Sequence, residues 1–160
     1  MVHVCIVCLG NICRSPTAEG TLRHLVAREN LAHAITVVSR GTGDWHVGDP
    51  PDVRTAETAR ARGIVLTGRA ALFTEHDLER SDWVLPVDTS NLRVIERMAR
   101  SPEQSKKVRL LRSFEEGAPP GAEVPDPYYG GPDGFEEVFD ICMRASEGLV
   151  AFLRTHHRLG

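Results

Sequence analysis

The chain has 160 residues, 41% hydrophobic and 26% charged, the make-up of one globular domain over 1–160 that can bury a core without disulfide staples. A net charge of −3 excludes a broad nucleic-acid-binding face, so any recognition of phosphate has to be local. No apolar run approaches the ~18 residues of a membrane-spanning helix, and the opening MVHVCIVCLGN lacks the basic and apolar regions of a secretion signal. The expected location is therefore the cytoplasm, where cysteines 5, 8, 13 and 142 stay reduced, with neither membrane nor nucleic acid as partner.

Val2 to Cys8 is apolar and rich in β-branched residues, which predicts a buried strand. A Gly10-Asn11 turn follows. Ser15-Pro16 predicts a helix start, with serine as N-cap and proline in the first turn. Ala18, Leu22, Leu25 and Val26 continue at helical spacing. Ile35 to Ser39 reads as a second strand, and the glycines and prolines from Arg40 to Pro51 make a loop. Asp52 to Arg62 reads as a helix closed by Gly63. Thr74 to Asp77 has the form of a capping box. Trp83 to Val87 is a third strand, followed by a helix capped by Thr89 or Ser90 that runs through Ala99. Val108 to Leu111 reads as a short fourth strand. Arg112 to Pro132 is irregular, and a last helix from Asp133 or Gly134 carries one apolar stripe from Phe135 to Leu153. Strands alternating with helices imply an α/β fold, a parallel sheet covered on both faces, with ligands bound outside the carboxyl ends of the strands. The loop after the first strand and Asp88 after the third both lie at such ends.

That first loop, Cys8-Leu9-Gly10-Asn11-Ile12-Cys13-Arg14-Ser15, carries the chemistry. Gly10 permits positive φ and Asn11 tolerates it, so the backbone can curl and turn successive N–H groups inward as an anion nest. The helix behind it adds its positive end. Arg14 offers a planar fork to two phosphate oxygens, which lysine does not. These fields favour the thiolate at Cys8, and a thiolate facing a bound phosphate can attack phosphorus in line. Cys5 and Cys8 form a Cys-x2-Cys, but residues three apart on a strand point to opposite faces and cannot chelate together. No second pair at ligand spacing exists, so neither metal nor cofactor is expected, and Cys5 reads as a small core residue. A leaving group needs an acid. Asp126, held between Pro125 and Pro127 with Gly130 and Gly131 behind, is the candidate, and a plain Asp-Pro turn is the alternative.

Four stretches then point to a known family: VCLGNICRSPTAEG at 7–20, SRGTGDWHVGDPPDVRT at 39–55, VDTSNL at 87–92 and DPYYGG at 126–131. In order and spacing the chain resembles the low-molecular-weight protein tyrosine phosphatases over nearly its whole length. The resemblance implies a four-stranded parallel sheet of order 2-1-3-4 and no metal. It implies Cys8 as nucleophile, Arg14 as phosphate clamp, Ser15 as the hydroxyl that stabilises the thiolate, and Asp126 as general acid and base. Leu9, Gly10, Ile12 and Cys13 complete the phosphate loop, Asn11 holds its curl, and Ser39 supports it. Cys13 would pair reversibly with Cys8 under oxidant. Trp45, Tyr128 and Tyr129 form an aromatic rim for a phosphotyrosyl ring. The implied partners are a phosphotyrosine-containing protein or peptide and an inorganic phosphate or sulfate-like anion in the loop, with the chain a monomer or weak dimer.

One segment departs from the pattern. Gly68 and Ala71 stand where the family has a histidine and an arginine, leaving Arg69 to brace Asn11 and Ser15 from outside. Two alternatives share the fold. An arsenate reductase needs further cysteines to resolve the adduct at Cys8, and only Cys142, on an apolar stripe, follows the loop. A phosphoarginine phosphatase is expected to carry threonine where Ile12 stands. A catalytically dead phosphotyrosine-binding module would have lost Cys8 or Asp126, and both are present.

Overall fold

Strand β1 (Val2–Cys8) runs between two parallel neighbours, β2 (Ile35–Gly41) and β3 (Trp83–Pro86). The computed structural model describes residues 1–129, 131 and 133–160; Gly130 and the side chain of Tyr129 lie outside the described residues. Buried on both faces, β1 alternates in what it packs on. Val4, Ile6 and Cys8 join the larger core with α1 (Arg14–Arg28) and α6 (Gly134–His156). Cys5 and Val7 face the other core, with Leu78 of α3 (Glu75–Arg80) and Ile95 of α4 (Thr89–Met98). The two cysteines thus point to opposite faces, as the strand period requires.

Among the described residues the sheet order is β2-β1-β3, with three strands and not the four expected. Val108 lies where the fourth strand was placed, beside β3, but makes one isolated bridge to Val84. The reason is Pro86. Val84 turns its amide away from β1, donating to Lys107 O (3.0 Å) and accepting from Arg109 N–H (3.1 Å). Two residues on, Pro86 points the same way and has no N–H to give, so the next rung cannot form. After the bridge at Val108, the outer segment that follows α5 (Pro102–Lys106) enters a 3-10 turn over Leu111–Phe114.

Helix ends were read well where a side chain is free to cap. Asp52 caps α2 (Val53–Ala61), and Thr74 and Asp77 form the reciprocal box on α3. Helix α4 is capped by Asp88, one residue before the expected Thr89. Helix α1 begins at Arg14 with Cys13 at the N-cap and no side-chain cap, so the expected cap Ser15 lies inside the first turn, where its hydroxyl is engaged by Cys8 and Asn11.

Helix α6 closes the larger core and packs on the 3-10 turn. Gly148 is the close approach: a Cβ there would overlap the carbonyl oxygen of Phe114. Gly148→Ala is therefore expected to destabilise the fold by about 1–3 kcal/mol from overpacking, despite the roughly 1 kcal/mol that alanine gains in helix propensity. The urea unfolding midpoint measures it.

Candidate active site

The loop between β1 and α1 takes its shape from where its carbonyl groups go. Cys8 O accepts from Thr42 N–H, Leu9 O from Gly43 N–H and Ile12 O from Asp52 N–H, each at 2.9 Å. A trans peptide points one residue's C=O and the next residue's N–H in opposite directions. Outward carbonyls at 8, 9 and 12 therefore turn the amides of Leu9, Gly10 and Cys13 inward. The amide of Asn11 donates directly to Cys8 Sγ at 3.2 Å. Asn11 makes the curl with φ of 56°, the left-handed region that asparagine tolerates better than most residues.

Three side-chain hydrogen bonds hold Asn11 there. Its Nδ2 donates to Ser15 Oγ (2.8 Å) and Ser39 Oγ (2.9 Å), and its Oδ1 accepts from Ala71 N–H (3.0 Å). Ser39 passes its own proton to Glu19 Oε1 at 2.6 Å. Ser15 Oγ, already an acceptor from Asn11, lies 2.9 Å from Cys8 Sγ and 3.4 Å from Arg40 O, so its proton is available to the sulfur. The chain of donors ends on Cys8.

Arg14 is buried, 7% exposed, and is fixed from behind. Its Nη1 donates to Asp88 Oδ2 (2.7 Å) and to Val124 O (3.1 Å). Both bonds use one nitrogen, which leaves Nε and Nη2 as the two-pronged face of the guanidinium. A buried charge of this kind depends on its partner, since removing one side strands the other in a poor solvent.

These groups form the floor of a cleft of about 430 Å³ lined by Cys8, Leu9, Gly10, Ile12, Cys13 and Arg14, with Trp45, His46, Asp126 and Tyr128 around the mouth. The cleft gathers every side chain named from sequence as nucleophile, clamp, acid or rim, apart from Tyr129, whose side chain lies outside the description. Trp45 is 70% exposed, the state of an aromatic platform and not of a core residue. The amide of Tyr128 donates to Asp126 Oδ1 (3.0 Å), which orients the carboxyl group. Burial pushes the Cys13 thiol up to about 11. Burial likewise pushes Cys5 and Cys142 up to about 12. All three are thiols at neutral pH, so none competes with Cys8 as the nucleophile toward phosphorus.

The departure at Gly68 and Ala71 resolves through the backbone. The amide of Ala71 braces Asn11, so no side chain is needed at that position. Arg69 does not take over this task; its Nη1 donates to Gly48 O (2.9 Å) and ties the Trp45 loop to its neighbour. Sequence reading missed three further groups. Asp88 had been placed at the carboxyl end of β3 without a role, and its position opposite the phosphate loop was the available signal. Glu19 sits one helical turn after Ser15, on the side that meets Ser39. The Val124 carbonyl has no sequence signature at all.

Comparison with known proteins follows the same lines. Residues 3–159 match the family model for the low molecular weight phosphotyrosine protein phosphatase. A low molecular weight protein-tyrosine-phosphatase of Streptomyces coelicolor is 43% identical over 153 residues, covering 95% of this chain and 93% of the relative. A protein tyrosine phosphatase from Entamoeba histolytica, crystallised with Hepes in the active site, superposes with a TM-score of 0.92 at 29% identity, covering 98% of this chain and 99% of that one. YfkJ of Bacillus subtilis superposes with a TM-score of 0.90 at 38% identity, covering 98% and 96%.

The Asn11 network generates a direct expectation. Asn11→Ala removes three hydrogen bonds and places a less tolerant residue at positive φ. It is expected to cost about 2–4 kcal/mol and to weaken inorganic phosphate binding, read by chemical denaturation and by calorimetric titration.

Proposed function

The chain belongs to the low molecular weight phosphotyrosine protein phosphatase family and is an enzyme of that class, and from that premise we propose how its residues divide the work. The thiolate of Cys8 attacks the phosphorus of a phosphotyrosyl group. The inward amides of the loop and the free prongs of Arg14 hold the phosphoryl oxygens as negative charge shifts onto them. The P–O bond to the tyrosyl oxygen breaks as Asp126 gives that oxygen its proton, and an S–P bond forms at Cys8. In the second step Asp126, now a carboxylate, takes a proton from water as the water oxygen attacks phosphorus. The S–P bond breaks, the electron pair returns to Cys8 Sγ, and the Asn11 amide and the Ser15 hydroxyl donate hydrogen bonds to the thiolate that forms.

The observation that carries this reading is that one cleft holds the Cys8 sulfur, Arg14 and Asp126 with Trp45 and Tyr128 at its mouth. An aromatic rim suits an aryl phosphate, and a phosphoprotein is the substrate class of the family. Ile12 at the cleft wall adds an apolar surface where a phosphoarginine enzyme would be expected to present a hydroxyl. Cys13 lines the same cleft as Cys8 and is read as its partner in a protective disulfide, in a chain acting in the cytoplasm: peroxide oxidises the Cys8 thiolate to a sulfenic acid, and the Cys13 sulfur, giving up its proton, displaces water from it to form the S–S bond.

Two variants test the assignment. Cys8→Ser is expected to abolish turnover while inorganic phosphate still binds; full activity would remove Cys8 from the nucleophile role. Asp126→Ala is expected to slow phosphotyrosine hydrolysis by about 10²–10⁴ and nitrophenyl phosphate far less, because a good leaving group departs without a proton. A loss of equal size on both substrates would count against Asp126 as the acid.

A further inference from the structure

We propose that Asp52 is a positioning residue for the general acid, holding the segment that carries Asp126 over the phosphate loop through a tether to Tyr128. The inference rests on the reading of Asp126 as the acid.

Asp52 binds three parts of the site at once. Its backbone N–H donates to Ile12 O of the phosphate loop (2.9 Å). Its Oδ1 caps α2, accepting from Arg54 N–H (2.9 Å) and Thr55 N–H (3.4 Å). Its Oδ2 accepts from Tyr128 Oη at 2.9 Å. Tyr128 in turn donates its amide to Asp126 Oδ1. The path from phosphate loop to acid is thus Ile12, Asp52, Tyr128, Asp126, with a hydrogen bond at every link between residues. The guanidinium of Arg54 lies over the Tyr128 ring at 4.9 Å, and the same group lies over Phe135 at 4.6 Å, so the phenol is clamped as well as bonded.

Tethering matters because of where Asp126 sits. Upstream, Val124 is anchored by its N–H to Val87 O (2.9 Å) and by its carbonyl to Arg14. Downstream, Tyr128 is anchored by Asp52. Asp126 lies two residues from each anchor, with a proline on either side. Loss of the Asp52 bond removes the hydrogen bond that anchors the downstream side, leaving only the packing of buried Pro127 and the Arg54 contact there, and proton transfer needs heavy-atom placement within hydrogen-bond reach. Burial and the bond to Asp52 push Tyr128 up to about 12, so it remains a donor across the working range. Burial raises Asp52, but bonds from Arg54 and Tyr128 outweigh it and hold the carboxyl below its usual range, so it remains an acceptor.

The test separates positioning from folding. Asp52→Ser keeps a capping oxygen and the backbone N–H but cannot reach Tyr128. It is expected to lower kcat for phosphotyrosine and phenyl phosphate about tenfold, a part of what a placed acid supplies. For nitrophenyl phosphate kcat should move less than about twofold, with KM nearly constant for all three. Combined with Asp126→Ala, it should cause no further loss. Asp52→Asn, which retains length and can still bond the phenol, should restore most of the rate. Tyr128→Phe leaves the α2 cap intact and must show the same leaving-group dependence, which keeps the proposal testable if Asp52→Ser does not fold. A loss equal across leaving groups, or losses that multiply with Asp126→Ala, would overturn it. If Asp126→Ala behaves as an acid variant while Asp52→Ser and Tyr128→Phe do not, the tether alone is refuted; if Asp126→Ala itself shows no leaving-group dependence, the acid reading fails first.

Discussion

A backbone can aim several N–H groups at one point only if the carbonyls between them are satisfied elsewhere. That constraint organises this molecule. The carbonyls of Cys8, Leu9 and Ile12 are taken by amides of residues 42, 43 and 52, all in the loop that follows β2 and leads into α2. The loop that makes the rim is therefore also the loop that turns the phosphate cradle inside out. Trp45 lies within it, and Asp52 ends it. Binding surface and catalytic floor are one hydrogen-bonded unit, which explains why so many glycines and prolines fall between Arg40 and Pro51.

Charge is arranged by the same economy. Arg14 is given a fixed counter-ion in Asp88, so that a buried cation waits for its ligand without being stranded. Asn11 distributes its two amide protons to two hydroxyls of opposite errand. Ser39 passes charge demand away to Glu19, and Ser15 delivers a proton to the sulfur. A network satisfied at every member holds its geometry, and a network missing one member is worse than none.

Much of this was legible in the chain. The Cys8 to Ser15 segment announced its chemistry because glycine, asparagine, arginine and a strand-to-helix junction have few other uses together. Asp126 is named as the candidate acid from the two prolines that flank it, and Trp45 as a rim residue from the family resemblance. What escaped reading was whatever depends on backbone atoms or on long-range placement. Ala71 supports Asn11 with an amide that every residue but proline possesses, so its identity carries no signal. Ser15 reads locally as a helix cap, yet it lies inside the first turn of α1 with its hydroxyl at the Cys8 sulfur, the place the family resemblance implies and local propensity does not. The fourth strand failed for a reason that was visible, Pro86, whose meaning depended on which side of β3 it faced.

The truncated sheet has one more consequence, for the protein as a solute. A parallel sheet with open sides invites foreign strands to add on. At β3 one bridge occupies Val84 and the next outward position lacks a donor. At β2 the outward carbonyls of Val37, Ser39 and Gly41 are taken by Arg23, Arg40 and the amide of Phe73 in turn. Neither side presents a run of free carbonyls to an incoming strand. The same proline that shortens the sheet, and the arginines that occupy the outer carbonyls of β2, protect a three-stranded core from edge-to-edge aggregation.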